Sequence, residues 1–228
     1  MSLDSPSPGA RTFPLDVEST LAGQGLHRDA RPGERVLAAA RRAVEAGRDL
    51  VEGRFVRVAA PIARQGVAGI EVPPVVLEGE AIGGALEGAT TVVTVVCTIG
   101  PRLERRVSAL FESDPLLALA LDGLGSAACQ RLAGILCGEI VTHAADRGMR
   151  VTGPLAPGMI GWPLLEAQRQ VFTLVDATPL GVVLTPSGQM IPRKSLSFVV
   201  GIGARVHKRA ACPACGSRDR CKFRSNHD

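Results

Sequence analysis

The stretch Thr91-Val-Val-Thr-Val-Val-Cys97-Thr98 constrains the fold of this chain more than any other segment. Seven of its eight residues are β-branched and none is charged. Such side chains are stiff at χ1 and pack well on a pleated surface, so the segment reads as a strand. It shows no polar alternation, and a strand without alternation must be covered on both faces. The chain therefore needs partner strands beside this one and layers above and below it. The strand runs into the turn Ile99-Gly100-Pro101, and a helix carrying Leu103, Val107, Leu110 and Phe111 follows.

Asp114-Pro115 marks the start of a long helix, with Asp as N-cap and Pro at the first helical position. It is expected to run to about Arg147, with Gly148 closing it. Its interior glycines, Gly123, Gly125 and Gly134, each cost up to about 1 kcal/mol relative to Ala. Their presence predicts close packing against another element. Upstream, Arg35–Val51 reads as an amphipathic helix with Val36, Ala39, Ala40, Ala43 and Val44 on one stripe. Gly79–Gly88 reads as a loop, because its glycines have no fixed spacing and no Lys-Ser or Lys-Thr follows. Trp162-Pro163 opens a further helix through about Leu174, and short strands are expected near Gly181–Thr185 and Leu196–Val200. Helices and strands do not alternate regularly, which favours α+β with a small antiparallel sheet over a doubly wound fold.

Composition excludes several function classes. Apolar residues make up 46% of the 228, enough for a sizeable core, but only 3% are aromatic and there is no Tyr. A stacking platform for single-stranded nucleic acid is thereby disfavoured. Apolar runs are broken by charges well before the roughly 18 residues a membrane span needs. Residues 1–12 read as a loose Pro/Ser-rich arm without the apolar core of a secretory signal. Six cysteines in this setting fit a reducing, cytoplasmic location. Charge divides unevenly: residues 207–228 hold six basic and two acidic side chains, whereas residues 1–206 hold twenty of each. The chain thus divides into the arm, a main domain over 13–206, and a basic, cysteine-rich tail over 207–228.

That tail carries Cys212-Pro-Ala-Cys215 and, after five intervening residues, a third, Cys221. A Cys-x2-Cys step lets both sulfurs reach one tetrahedral centre, and the surrounding cations favour thiolate. Cys212, Cys215 and Cys221 are therefore candidate metal ligands. His207 or His227 would complete a zinc site, while an open fourth position would suit an iron–sulfur cluster. Cys97, Cys129 and Cys137 lie in apolar segments and read as small core hydrophobes. His143, near the end of the long helix, reads as a partner to the helix dipole. Gly-x-Ser-x-Gly, His-Glu-x-x-His and Walker A signatures are missing, and Gly201-Ile-Gly203 is followed by charges rather than by a helix. A second candidate is the loop Gly153-Pro154-Leu155-Ala156-Pro157-Gly158-Met159, leading into Trp162-Pro163. Two prolines stiffen it, and Gly158 permits close backbone approach to a ligand.

Several ordered pieces resemble the activation domain of vitamin B12-dependent methionine synthase, in the form of a small free-standing protein. They are Thr98-Ile-Gly-Pro101; Leu121-Asp122-Gly-Leu-Gly125-Ser126; Ala156-Pro157-Gly158 with Trp162-Pro163-Leu164 and Gln168; Gly181-Val-Val-Leu-Thr185-Pro-Ser187; and Met190-Ile-Pro192-Arg-Lys194-Ser195-Leu-Ser197. Together they span roughly residues 92–203. The resemblance implies helices packed around a twisted antiparallel sheet. It also implies a role beside cobalamin, held on a partner protein, and a site for S-adenosylmethionine. The cofactor-binding residues it implies are Ala156, Pro157, Gly158, Met159, Trp162, Lys194 and Ser195. Pro154 and Met159 stand where the family carries an Arg and a Tyr, so S-adenosylmethionine is expected to bind weakly. A missing guanidinium removes a grip worth about 1.5–3 kcal/mol.

The resemblance implies an accessory protein of a corrinoid-dependent methyl-transfer system, which docks on a corrinoid protein or cobalamin-dependent methyltransferase and supports its reductive reactivation or methylation. An S-adenosylmethionine-binding methyltransferase or methionine synthase component is one alternative. A non-catalytic, metal-stabilised interaction module is the other. Tail charges without interleaved aromatics are weak support for a nucleic-acid partner.

Overall fold

The computed structural model of the chain describes residues 8–27, 29–159 and 161–206. Its centre is a five-stranded antiparallel sheet in the order β1-β2-β6-β10-β7. These strands are β1 (Gly9–Arg11), β2 (Gly53–Pro61), β6 (Thr91–Thr98), β7 (Arg150–Val151) and β10 (Ser195–Gly203). The β-branched run is the middle strand, as expected, with Thr98 opposite both Arg54 and Ser195. Its residues 92–98 are all buried.

Both of its faces are covered, which is why it needs no polar alternation. On one face Val93, Val95 and Cys97, with Phe55 and Phe198, pack against Leu132, Leu136, Ile140 and Ala144 of α5 (Pro115–Ala145). On the other, Val92, Val96, Val56 and Val199 pack against Trp162, Ala167 and Val171, the last two in α6 (Leu164–Leu174). That layer also holds a three-stranded sheet of β3 (Arg64–Gly66), β4 (Gly69–Val72) and β5 (Val75–Glu78). A hairpin of β8 (Val183–Leu184) and β9 (Met190–Ile191) precedes β10.

The long helix α5 starts as the sequence predicts, with Asp114 Oδ1 accepting from the Leu117 N–H at 3.1 Å. It ends at Ala145; Gly148 turns at φ +67°, and the Met149 N–H returns to the Ala144 carbonyl at 3.0 Å. Its apolar side chains point all round because two different layers clasp it. Leu117, Leu121, Leu124 and Ala128 meet the helical layer, which includes Ala39 and Ala43 of α2 (Glu34–Gly47) and Leu103 of α4 (Arg102–Leu110). The C-terminal half lies on the sheet. Among the described residues no helix is long and apolar enough to cross a membrane.

Several expectations need correction. Residues 9–11, placed by the sequence in a loose arm, pair with β2. The stretch 79–88 is not all loop: α3 (Glu80–Ala85) forms there, burying Ile82. The sheet is larger than expected because β2 joins it, and α2 stops at Gly47 rather than Val51. Phe111 is exposed instead of joining the apolar face of α4. Gly123 and Gly125 are closely packed: a Cβ on Gly123 would lie 2.8 Å from Gln24 N in the turn after α1 (Val17–Gly23), and one on Gly125 2.8 Å from Leu103 Cδ2. Gly134, grouped with them from sequence, faces open space among the described residues.

Candidate functional site

The loop singled out by its prolines and glycines leaves the outer edge of β10. Thr152 N–H donates to the Gly201 carbonyl, Thr152 Oγ1 accepts from Gly201 N–H, and Leu155 exchanges two backbone hydrogen bonds with Val199, all at 2.9 Å. Beyond Leu155 the chain departs from the strand and turns on itself. Met159 N–H reaches the Ala156 carbonyl at 3.2 Å, Trp162 N–H the Met159 carbonyl at 2.9 Å, and Gly158 N–H the Trp162 carbonyl at 3.0 Å. Gly158 sits at φ +89°, a left-handed conformation that side-chain-bearing residues avoid.

One further loop donor is unusual. Ala156 N–H points at Met159 Sδ, 3.1 Å away. Trp162, only 1% exposed, lies beneath the loop rather than on it. Its indole N–H donates to Gln170 Oε1 at 3.0 Å, and the same oxygen accepts from Glu78 N–H at the end of β5. Next to it in α6, the buried Gln168 accepts from Ser197 Oγ of β10 at 2.9 Å. Gln170 fixes the loop through Trp162 and ties it to β5, and Ser197 fixes α6 to β10; the Gln170–Glu78 and Ser197–Gln168 pairings join residues distant in sequence.

Ser195 begins the same strand at its far end, and Lys194 immediately precedes it. Leu155 is paired with Val199, four residues from Ser195, a separation of roughly 13 Å at the usual strand rise. The fold therefore sets Lys194 and Ser195 apart from the turn after Leu155. Around Lys194 it gathers three of the motif segments instead. Lys194 Nζ lies 2.8 Å from Asp122 Oδ1 and donates to Ser126 Oγ at 2.9 Å. Ser195 Oγ lies 2.9 Å from Thr98 Oγ1 and 2.7 Å from the Pro192 carbonyl oxygen, while Gly100 N–H donates to Thr98 Oγ1 at 3.1 Å. Every polar atom named here has a protein partner, so the cluster clips α5 to the sheet. A serine hydroxyl whose proton is spent on a carbonyl oxygen is not held as an activated nucleophile.

The three described cysteines behave as core residues. Cys97 and Cys129 are buried, and Cys137 is half-buried. A hydrogen bond with Cys129, together with burial, pushes the Cys97 thiol up, and burial pushes Cys137 up to about 11. Neutral thiols of this kind are poor nucleophiles and poor ligands. His143 does sit in the last turn of α5, but burial and then Arg147 hold its pKa below the ordinary histidine value. Among the described residues no three His, Cys, Asp or Glu side chains converge on a metal site. Cys212, Cys215 and Cys221 lie outside the described residues.

The architecture is α+β with an antiparallel sheet, as the sequence led us to expect; the sheet has five strands, with one long helix across one face and a smaller mixed layer on the other. Among solved structures this arrangement is similar to that of the MetH reactivation domain bound to AdoHcy, with a TM-score of 0.66 over 90% of this chain and 81% of that one. Sequence identity over the match is 13%, so the likeness is one of fold. No family model matches the chain, and no curated protein matches it in sequence.

Proposed function

We propose that this protein is an accessory component of a corrinoid-dependent methyl-transfer system. It docks on a cobalamin-carrying protein and supports that protein's reductive reactivation or methylation. The observation that carries this reading is the fold likeness to a reactivation domain over 90% of the chain. The motif segments around Thr98, Asp122 and Lys194 support it by meeting at one end of the sheet. A docking protein needs rigid, shaped loops rather than a nucleophile, and the 153–163 loop is braced at Leu155 and Trp162.

The reactivation domain of known structure holds AdoHcy, which favours a second, compatible reading in which this chain binds an S-adenosyl ligand at the same loop. The residues present fit such a ligand in part. Ala156 offers an N–H held only by a thioether, and Gly158 leaves the backbone approachable. The carboxylate end lacks a cation at Pro154. We therefore expect weak binding through Ala156, Pro157 and Gly158, with the adenosine or amino-acid polar atoms as acceptors.

The test is affinity capture with the tagged full-length chain, followed by measurement of corrinoid and RNA in the captured fraction. Enrichment of a corrinoid protein supports the docking reading. Recovery of RNA or of an unrelated enzyme without corrinoid contradicts it.

A further inference from the structure

We infer that Met159 is a built-in competitor at the 153–163 loop, its thioether holding the Ala156 N–H that a ligand acceptor must take over. The inference rests on the reading of this loop as an S-adenosyl site and adds the residue that sets its affinity.

The observation is a contrast among donors. The N–H groups of Leu155, Gly158, Met159 and Trp162 all donate to backbone carbonyl oxygens. Ala156 N–H alone of these five donates to sulfur. A thioether is a weak, neutral acceptor, so an oxygen or ring nitrogen brought by a ligand makes the stronger bond. Met159 is also suited to leave. It is half-buried against the core layer that contains Trp162 and Leu155, and its unbranched side chain has three rotatable bonds. Without ligand, the thioether keeps a half-buried donor from standing unpaired. With ligand, the same donor becomes available at the cost of moving one flexible side chain.

The sole tryptophan of the chain makes this measurable. Trp162 donates to and accepts from the same turn, through Met159 and Gly158, so its fluorescence reports the state of the loop with no tyrosine background. The experiment titrates AdoHcy into the full-length protein and into Met159→Leu and Met159→Gln, and measures amide exchange at Ala156 in each without ligand. Leu keeps the apolar volume and has no acceptor, while Gln supplies a stronger one. The expected order of affinity is Leu above Met above Gln, with steps of about two- to fivefold, the fold-change expected from one modest hydrogen bond. Ala156 exchange should be fastest in Met159→Leu. AdoHcy binding of equal strength in all three proteins, or weaker in Met159→Leu than in the parent, overturns the role of Met159 and leaves the loop reading standing. No binding to any of the three, with Ala156 exchange responding as expected, overturns the loop reading and this inference with it.

Discussion

The ammonium of Lys194, 15% exposed, lies 2.8 Å from a carboxylate oxygen of Asp122, which is 52% exposed. The pair is asymmetric, and the asymmetry decides what each partner's removal should do. Asp122 can rehydrate if Lys194 is lost. Lys194, if Asp122 is lost, keeps a largely buried charge with Ser126 Oγ as its side-chain partner. Asp122→Ala is therefore expected to cost about 2 kcal/mol and Lys194→Met about 1 kcal/mol, discounted from fully buried pairs because Asp122 is half in water. Urea unfolding of both single variants and the double variant checks this. Equal costs, or the reverse order, would show that the pair is an ordinary surface contact.

The glycines of α5 make a sharper contrast. Gly123→Ala would drive a methyl group against Gln24 and to 2.9 Å from the Thr20 carbonyl oxygen, where α1 crosses α5. Gly134→Ala meets nothing within 4 Å among the described residues. The first should destabilise by about 1–3 kcal/mol through overpacking, and the second should stabilise by about 0.5–1 kcal/mol through helix propensity. Thermal melts of the two variants would show shifts of opposite sign.

Acid should loosen β1. Glu139 on α5 accepts from Arg11 of β1 at 2.6 and 3.0 Å and from Arg57 of β2 at 3.2 Å. The Arg11 hydrogen bonds, with the charges of Arg11 and Arg57, hold the Glu139 carboxyl below its ordinary value of 4.5. The folded protein thus binds that proton less tightly than the unfolded chain. The stabilisation is fully present above pH 4.5 and is lost as pH falls through the lowered folded value. Glu139→Gln should unfold more easily at pH 7, and its stability should vary less with pH between 6 and 3. A pH slope as steep as the parent's would assign acid sensitivity to other carboxylates.

How much could be read from sequence depended on whether a segment's partners were local. The β-branched run of β6 and the Asp114 cap carry their own signal, and both appear where expected. β2 was hidden because Arg57 interrupts Phe55-Val56 and Val58. That arginine is 5% exposed and lies within reach of Glu139, which no local pattern could announce. The glycine-rich α3 looked like a loop because its helix is held by contacts with distant backbone, Gly83 packing on Gly66 and Val67. At the candidate site, the prolines and Gly158 gave away the loop itself. The hydrogen bond between Gln168 and Ser197, and the Met159 contact with Ala156, depend on side-chain directions that sequence spacing does not determine.

The tail provides an independent prediction. If Cys212, Cys215 and Cys221 hold one metal centre, changing any of them to Ser should sharply lower the metal content of anaerobically purified protein. Cys129→Ser, in the core, should leave it unchanged. An absorbance near about 400 nm would identify iron–sulfur, and a colourless protein with bound zinc would identify a structural site. Full metal retention in all three tail variants would remove the cluster from the account.

The most direct measurement is calorimetry of the full-length protein against a cobalamin-dependent methyltransferase from the same cell, prepared with and without its cobalamin. Docking over the cofactor face predicts saturable binding to the loaded protein and binding weaker by about tenfold or more, roughly 1.4 kcal/mol, to the empty one. No heat with either form, or equal affinity for both, would contradict it.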